Sequence, residues 1–330
     1  MNSARALFAL VAAAALGACG TSDTLTAGID AGGAPVAIVV QGPITGFGSI
    51  IINGVHYDID RAQISVNGVS ASAADLALGQ LVTVSGTRDT STQRGQADSV
   101  RFNANLEGPV GAIDAAAGRL VVLGTPVTTN ATTVIDLGSR PPTVASLAVG
   151  ERVQVSGFVG ADGAIAATRI AARPAASRLR VRGTVANLNR AGALFTINEL
   201  TVDYRSAAVI EGFPTGAPSD GDEVVVEGTR LNGGNMLVAE VLSLAESEIE
   251  DDDGTEAEIE GLITRFVSPA DFDVSGSAVT ASSATVYEGG SAASLKLNVK
   301  IKVEGTVNGA GVIQASKIEV KDGGRVVGSP

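Results

Sequence analysis

The chain has one cysteine, one histidine and no tryptophan in 330 residues, with only 3 Tyr, 8 Phe and 2 Met. One cysteine excludes any disulfide within the chain, so the fold must hold without that constraint. One histidine, His56, leaves no second imidazole for a tetrahedral nitrogen and sulfur metal site. It also ties any serine nucleophile to a single position, and no Gly-x-Ser-x-Gly elbow is present. Few aromatics and a net charge of -12 provide neither stacking platforms nor a basic groove, so no nucleic-acid partner is expected. No stretch beyond residue 18 has helical periodicity over three turns; the best short candidate, Ser72 to Leu78, could supply one. What is plentiful is small and apolar: 45% of residues are hydrophobic and 41 are glycine, which fits packed cores of Val, Ile, Leu and Ala.

The single cysteine sits in a telling place. Met1 to Arg5 make a positively charged start, Ala6 to Leu16 an unbroken apolar run, and Leu16-Gly17-Ala18 lead into Cys19. The run is short for a transmembrane helix, which needs about 20 residues. The segment resembles the lipobox of bacterial lipoproteins. That resemblance implies cleavage after residue 18 and acylation of Cys19 by chains such as palmitate, and several acyl chains give stable anchoring. An ordinary cleaved signal peptide with an incidental cysteine is the alternative. No aspartate follows Cys19; Gly20 does, and in the resembling lipoproteins this leans toward the outer membrane.

Beyond the leader the chain repeats itself four times through three landmarks. A glycine precedes Ile or Val by two residues at Gly42, Gly108, Gly183 and Gly261. An alternating strand ends in Gly86, Gly157, Gly228 and Gly305, and an alanine opens a third stretch at Ala97, Ala167, Ala239 and Ala315. The first spacing is 44, 49, 45 and 44 residues and the second 11, 10, 11 and 10. Between the first two landmarks lies a hairpin signal, clearest at Ile52-Asn53-Gly54-Val55. Its counterparts turn at Leu123-Gly124, Asn198-Glu199 and Ser275-Gly276, and Glu199 predicts a different or longer turn. Alternation as in Ile301 and Val303 against Lys302 and Glu304 predicts antiparallel sheet with one wet face. Val84, Val155, Val226 and Val303 are expected at equivalent buried positions.

The expected fold is all-β: four tandem OB-like five-stranded β-barrel units at 41–102, 107–172, 178–245 and 259–322. Around them stand a signal peptide (1–18), a lipidated tether (19–40), an acidic linker (246–258) and a C-terminal tail (323–330). The run from Gly42-Pro43-Ile44-Thr45-Gly46-Phe47-Gly48-Ser49 to Val55, continuing through Leu78 to Gly86, is similar to a bacterial domain of unknown function, number 5666. That resemblance implies OB-type repeats in exported proteins and lipoproteins, and it carries no catalytic residues. OB-like barrels elsewhere bind oligonucleotides, oligosaccharides or proteins, an analogy of fold alone.

The candidate sites are few. His56, beside Tyr57 and Asp58, reads as a strand residue on a wet face rather than a base or ligand. Asp58 and Asp60 share a strand face as acidic surface residues often do. Gly46 to Ser49 lacks the lysine and helix of a phosphate cradle. On a twelve-residue calcium loop, Asp251, Asp253, Gly254 and Glu260 fall at ligand or glycine positions, but Ile249 occupies position one. A solvated linker is the better reading. Arg178, Arg180 and Arg182 alternate on one strand as a slight basic footprint. No catalytic, cofactor or metal residue is assigned, and Cys19 with Leu16, Gly17 and Ala18 is the one modification site. The expected function is a non-enzymatic cell-envelope lipoprotein, held to the membrane by lipid, whose repeats bind or scaffold an envelope protein or glycan. The alternative is an envelope enzyme or accessory subunit acting on polysaccharide.

Overall fold

The computed structural model describes residues 35–233, 235–245, 249 and 253–321. The described chain is all-β, and its helical content is three single 3₁₀ turns, at Ala73–Asp75, Val144–Ser146 and Ala292–Ser294. The first is the turn expected within Ser72 to Leu78. It opens on a capping box in which Ser72 N–H donates to Asp75 at 2.9 Å.

The repeats share five strands in the same order. In the first these are Val36–Pro43, Ile50–Ile52, Val55–Asp58, Leu81–Asp89 and Arg94–Phe102; the first repeat adds the hairpin Gln63–Val66 and Val69–Ala71, the second a strand at Val134–Asp136 and the third one at Val209–Glu211. The first strand pairs antiparallel with the fourth, the fourth with the fifth, and the second with the third, while third and fifth run parallel. Second returns to first through the bridge Gly46↔Ile51. The same pairings recur in the second repeat (Leu106–Asp114 to Ile165–Ala172) and the fourth (Glu256–Ser268 to Ile313–Val320). In the third repeat the first, fourth and fifth strands are each broken in two.

The landmarks have a steric cause. A Cβ at Gly86, Gly157, Gly228 or Gly305 would collide with the carbonyl oxygen of Gln96, Ala166, Val238 or Gln314 on the fifth strand. At Gly86, Gly157 and Gly305 the partner across the ladder is the landmark alanine, and the register slips there by a bulge. The first glycine of each repeat lies beneath the hairpin: a Cβ at Gly42 would sit 2.7 Å from Asn53 Oδ1, and one at Gly108 would sit 2.5 Å from Leu123 Cγ. Asn53 and Gly54 take φ of 52° and 84°, as a two-residue hairpin loop requires. The Asn198-Glu199 loop keeps that length, since Ile197 pairs with Leu200, but only Asn198 has positive φ, 49°. Val84, Val155, Val226 and Val303 are fully buried.

Two expectations are corrected. The repeats are not discrete barrels: they are stacked coils of strand whose sheets run on from one repeat into another, giving sheets of 12 and 10 strands and a smaller one of five. In the chain's first and fourth repeats, Ile38–Gln41 pairs in parallel with Glu256–Ile259. In the second and third, Leu106 and Glu107 pair with Val181 and Arg180. The reason is an open edge. The second strand of a repeat covers only the far half of the first, so the near half presents unpaired backbone groups that another repeat's first strand satisfies. The second correction concerns the linker over 246–258. Strand already begins at Glu256, and Glu258 is buried against Arg88, 2.7 Å, and Lys302, 3.3 Å. Ile249 is buried in the core of the fourth repeat, while Asp253 and Gly254 are exposed and Glu250, Asp251 and Asp252 lie outside the described residues.

Candidate functional site

All four repeats contribute to one cleft of about 640 Å³. Short polar side chains bind its walls together. Asn105 accepts from Gly157 N–H at 2.8 Å, and its own carbonyl accepts from Arg182 N–H at 2.8 Å, linking second and third repeats. Ser156 Oγ accepts from Leu81 N–H of the first repeat at 2.8 Å. Asn298 Oδ1 accepts from Ala161 N–H at 2.7 Å, joining fourth to second. Asn198 Nδ2 donates to Gly163 O and to Thr125 Oγ1, each at 3.2 Å.

The charges inside are held by partners. Arg182 Nε donates to Glu223 at 2.8 Å. Arg265 bonds both oxygens of Asp273 at 2.8 Å and Asp271 at 2.6 Å, and these bonds push its pKa above the ordinary guanidinium value. The same contact holds the Asp271 carboxyl below its usual range. Two groups in the lining have buried polar atoms with no hydrogen-bond partner among the described residues: Gln41 Oε1, in a residue 5% exposed, and Ser275 Oγ. The backbone of Gln41 is paired on both edges, to Thr83 and to Ile259, which holds the residue in the cleft wall.

A second, shallower cleft of about 410 Å³ lies on the first repeat and is lined by Gly48, Ser49, His56, Asp58, Asp60, Arg94 and Gln96 among others. His56 is exposed on the third strand, as expected for a wet face. Ser49 Oγ lies 3.2 Å from its Nδ1, a contact the sequence reading missed. The hairpin register Ile51↔His56 sets it and could have revealed it. Asp58 accepts from Asp60 N–H at 2.9 Å; among the described residues no cluster of three His, Cys, Asp or Glu is placed to hold a metal.

The arginines of the basic footprint are neutralised. Arg180 is buried and bonds Glu227 and Ala104 O, and Arg178 reaches Glu240 at 3.2 Å. Cys19, Leu16, Gly17 and Ala18 lie outside the described residues. Among the described residues no helix is long and apolar enough to cross a membrane.

With the geometry in place, the comparison with known families is decisive for kinship. A domain of unknown function, DUF5666, matches residues 39–101, 107–171, 182–242 and 260–319. The chain belongs to this family. Each DUF5666 match contains one full set of the three landmarks, so the family's repeat is the unit that the bulge glycine and its facing alanine define. No curated protein matches the chain.

Proposed function

We propose that this DUF5666 chain is a non-enzymatic lipoprotein of the cell envelope, anchored through acylated Cys19, whose four stacked repeats form one binding module for a protein or glycan. The observation that carries the binding role is the cleft built jointly by four repeats, with the unpartnered Gln41 Oε1 set in its wall. Two of its three carboxylates, Glu223 and Asp273, are engaged by arginines, and the third, Asp162, accepts from Ala164 N–H, which suits recognition better than acid-base work.

The test retains envelope proteins and polysaccharides on immobilised full chain and compares Ala161→Trp, a substitution at an exposed position of the cleft wall. Specific retention that the variant loses is the expected result; equal retention by both removes the cleft from the function. For the anchor, Cys19→Ser is expected to move the chain from membrane to soluble exported fractions. An unchanged membrane pool would sink the lipid reading.

The second reading is an envelope enzyme or accessory subunit acting on polysaccharide, and the Ser49–His56 contact favours it. Hydrolysis of an ester or glycan that His56→Ala abolishes would establish it.

A further inference from the structure

We propose that the cleft shared by the four repeats seats an uncharged, polyhydroxylated chain, an oligosaccharide segment, with Gln41 and Ser275 as its hydrogen-bonding contacts. This rests on reading that cleft as the ligand seat.

Charge argues first. Arg182 and Arg265 are the cations of the lining, and each is already bonded to carboxylates of its own repeat. A phosphate or carboxylate ligand would have to compete with those pairs, and a cationic ligand would have to displace the arginines from Glu223 and Asp273 or rely on the exposed Asp162, which accepts from Ala164 N–H at 3.2 Å. A neutral ligand disturbs neither.

Hydrogen-bonding capacity argues second. The Gln41 amide oxygen can only accept, while the Ser275 hydroxyl can both donate and accept. Both atoms are buried without hydrogen-bond partners among the described residues. A ligand bearing many hydroxyls supplies donors and acceptors together, and so satisfies both types of group. Asn103, Asn187 and Thr196 extend the same chemistry along the wall. Such matching rejects analogues that lack the hydroxyl, because the buried groups are then left unmade.

Shape argues third. Leu81, Val159 and two alanines are the apolar side chains of the lining, and no aromatic ring is among them. A peptide ligand draws its affinity from large aromatic or aliphatic anchors in matching pockets, and single-stranded nucleic acid from stacking on rings in a basic groove. Neither finds its counterpart here.

The test is calorimetric titration of the full chain with three neutral hexasaccharides, of β-1,4-glucose, α-1,4-glucose and β-1,4-N-acetylglucosamine, at low and high salt. The expected result is binding of at least one, with an affinity that salt leaves unchanged. Gln41→Leu and Asn103→Ala are each expected to weaken it by about tenfold, and Val149→Ala, at an exposed position outside both clefts, to leave it intact. Asn103 is half-buried in the link between repeats, so its variant keeps the test valid if Gln41→Leu fails to fold. Silence from all three sugars overturns the ligand class. If the cleft still retains an envelope protein, the binding role survives that failure. Unaltered sugar binding in both cleft variants places the seat elsewhere, and a steep salt dependence means a charged ligand; either result overturns the proposal.

Discussion

The first and fourth repeats join differently from the second and third. The two middle repeats share one hydrophobic core, running from Leu106 and Val155 through Val181 to Leu242. Their hairpins touch: Gly124 packs so closely on Leu200 that a Cβ there would lie 2.6 Å from its backbone nitrogen. Leu123, where the first repeat has Asn53 and the fourth Ser275, is a buried apolar turn residue held at φ 48°. The outer pair keep separate cores, with only Val39 of the first reaching into the fourth. They meet instead through a parallel ladder and through Arg88 of the first, which reaches Glu258 and Glu256 of the fourth; within the fourth, Lys302 holds Glu258 and Glu304, and Lys317 holds Glu288. The same open edge is paired by a strand ladder in both cases, backed by a shared apolar core in the middle pair and by ion pairs in the outer one. The middle seam also holds the buried Glu107 facing Arg180, but the apolar core behind it has no partner for an added charge.

The largest expected effect breaks the apolar side. Val155→Asp places an unpaired carboxylate in the shared core and should cost at least about 4 kcal/mol. Because that core is common, the second and third repeats should lose hydrogen-exchange protection together; loss confined to the second would show that the cores are separable. Next is Glu258→Ala, which leaves Arg88 with only Glu256 at 3.7 Å and Lys302 with only Glu304 at 2.7 Å in a mostly buried seam and should cost about 2 kcal/mol. Protection should fall at Ile38–Gln41 while the middle repeats stay intact. Smallest is acidification. Burial pushes the Glu304 carboxyl up, but the hydrogen bond and charge of Lys302 outweigh it, so its pKa is lowered. A carboxylate lowered in the folded state lends stability that is present above its unfolded pKa, about 4.3, and is lost as pH falls through the folded value. Thermal unfolding below about pH 4 should therefore weaken the outer seam before the middle pair. A Lys302→Met chain with the same acid sensitivity would refute the assignment.

The repeat was legible in the sequence because its landmarks answer to local geometry. Gly86 and its three equivalents must lack a Cβ where the bulge meets the fifth strand, and the buried valines two residues before them follow from alternation. The joining of repeats was not legible. Nothing near Ile38 in sequence signals Glu256 more than two hundred residues later, and the acidity of Glu256 and Glu258 reads as solvated when Arg88 and Lys302 are not known to be neighbours. The cleft escaped for the same reason: Gln41, Asn105, Arg182 and Ser275 belong to four repeats and form no motif in any one of them. The Ser49–His56 contact was within reach, since a two-residue hairpin fixes its own register.

The pairing of the chain's first strand has a mechanical meaning. Val36–Pro43 is held on one edge by eight antiparallel residue pairs and on the other by four parallel ones to the last repeat. Tension entering at Val36 along that strand loads both rows in shear, so the bonds must fail together rather than unzip one by one. A pull on the N-terminal side is shared at once between the first repeat and the last, and Gln41 in the cleft wall lies on the strand that bears it.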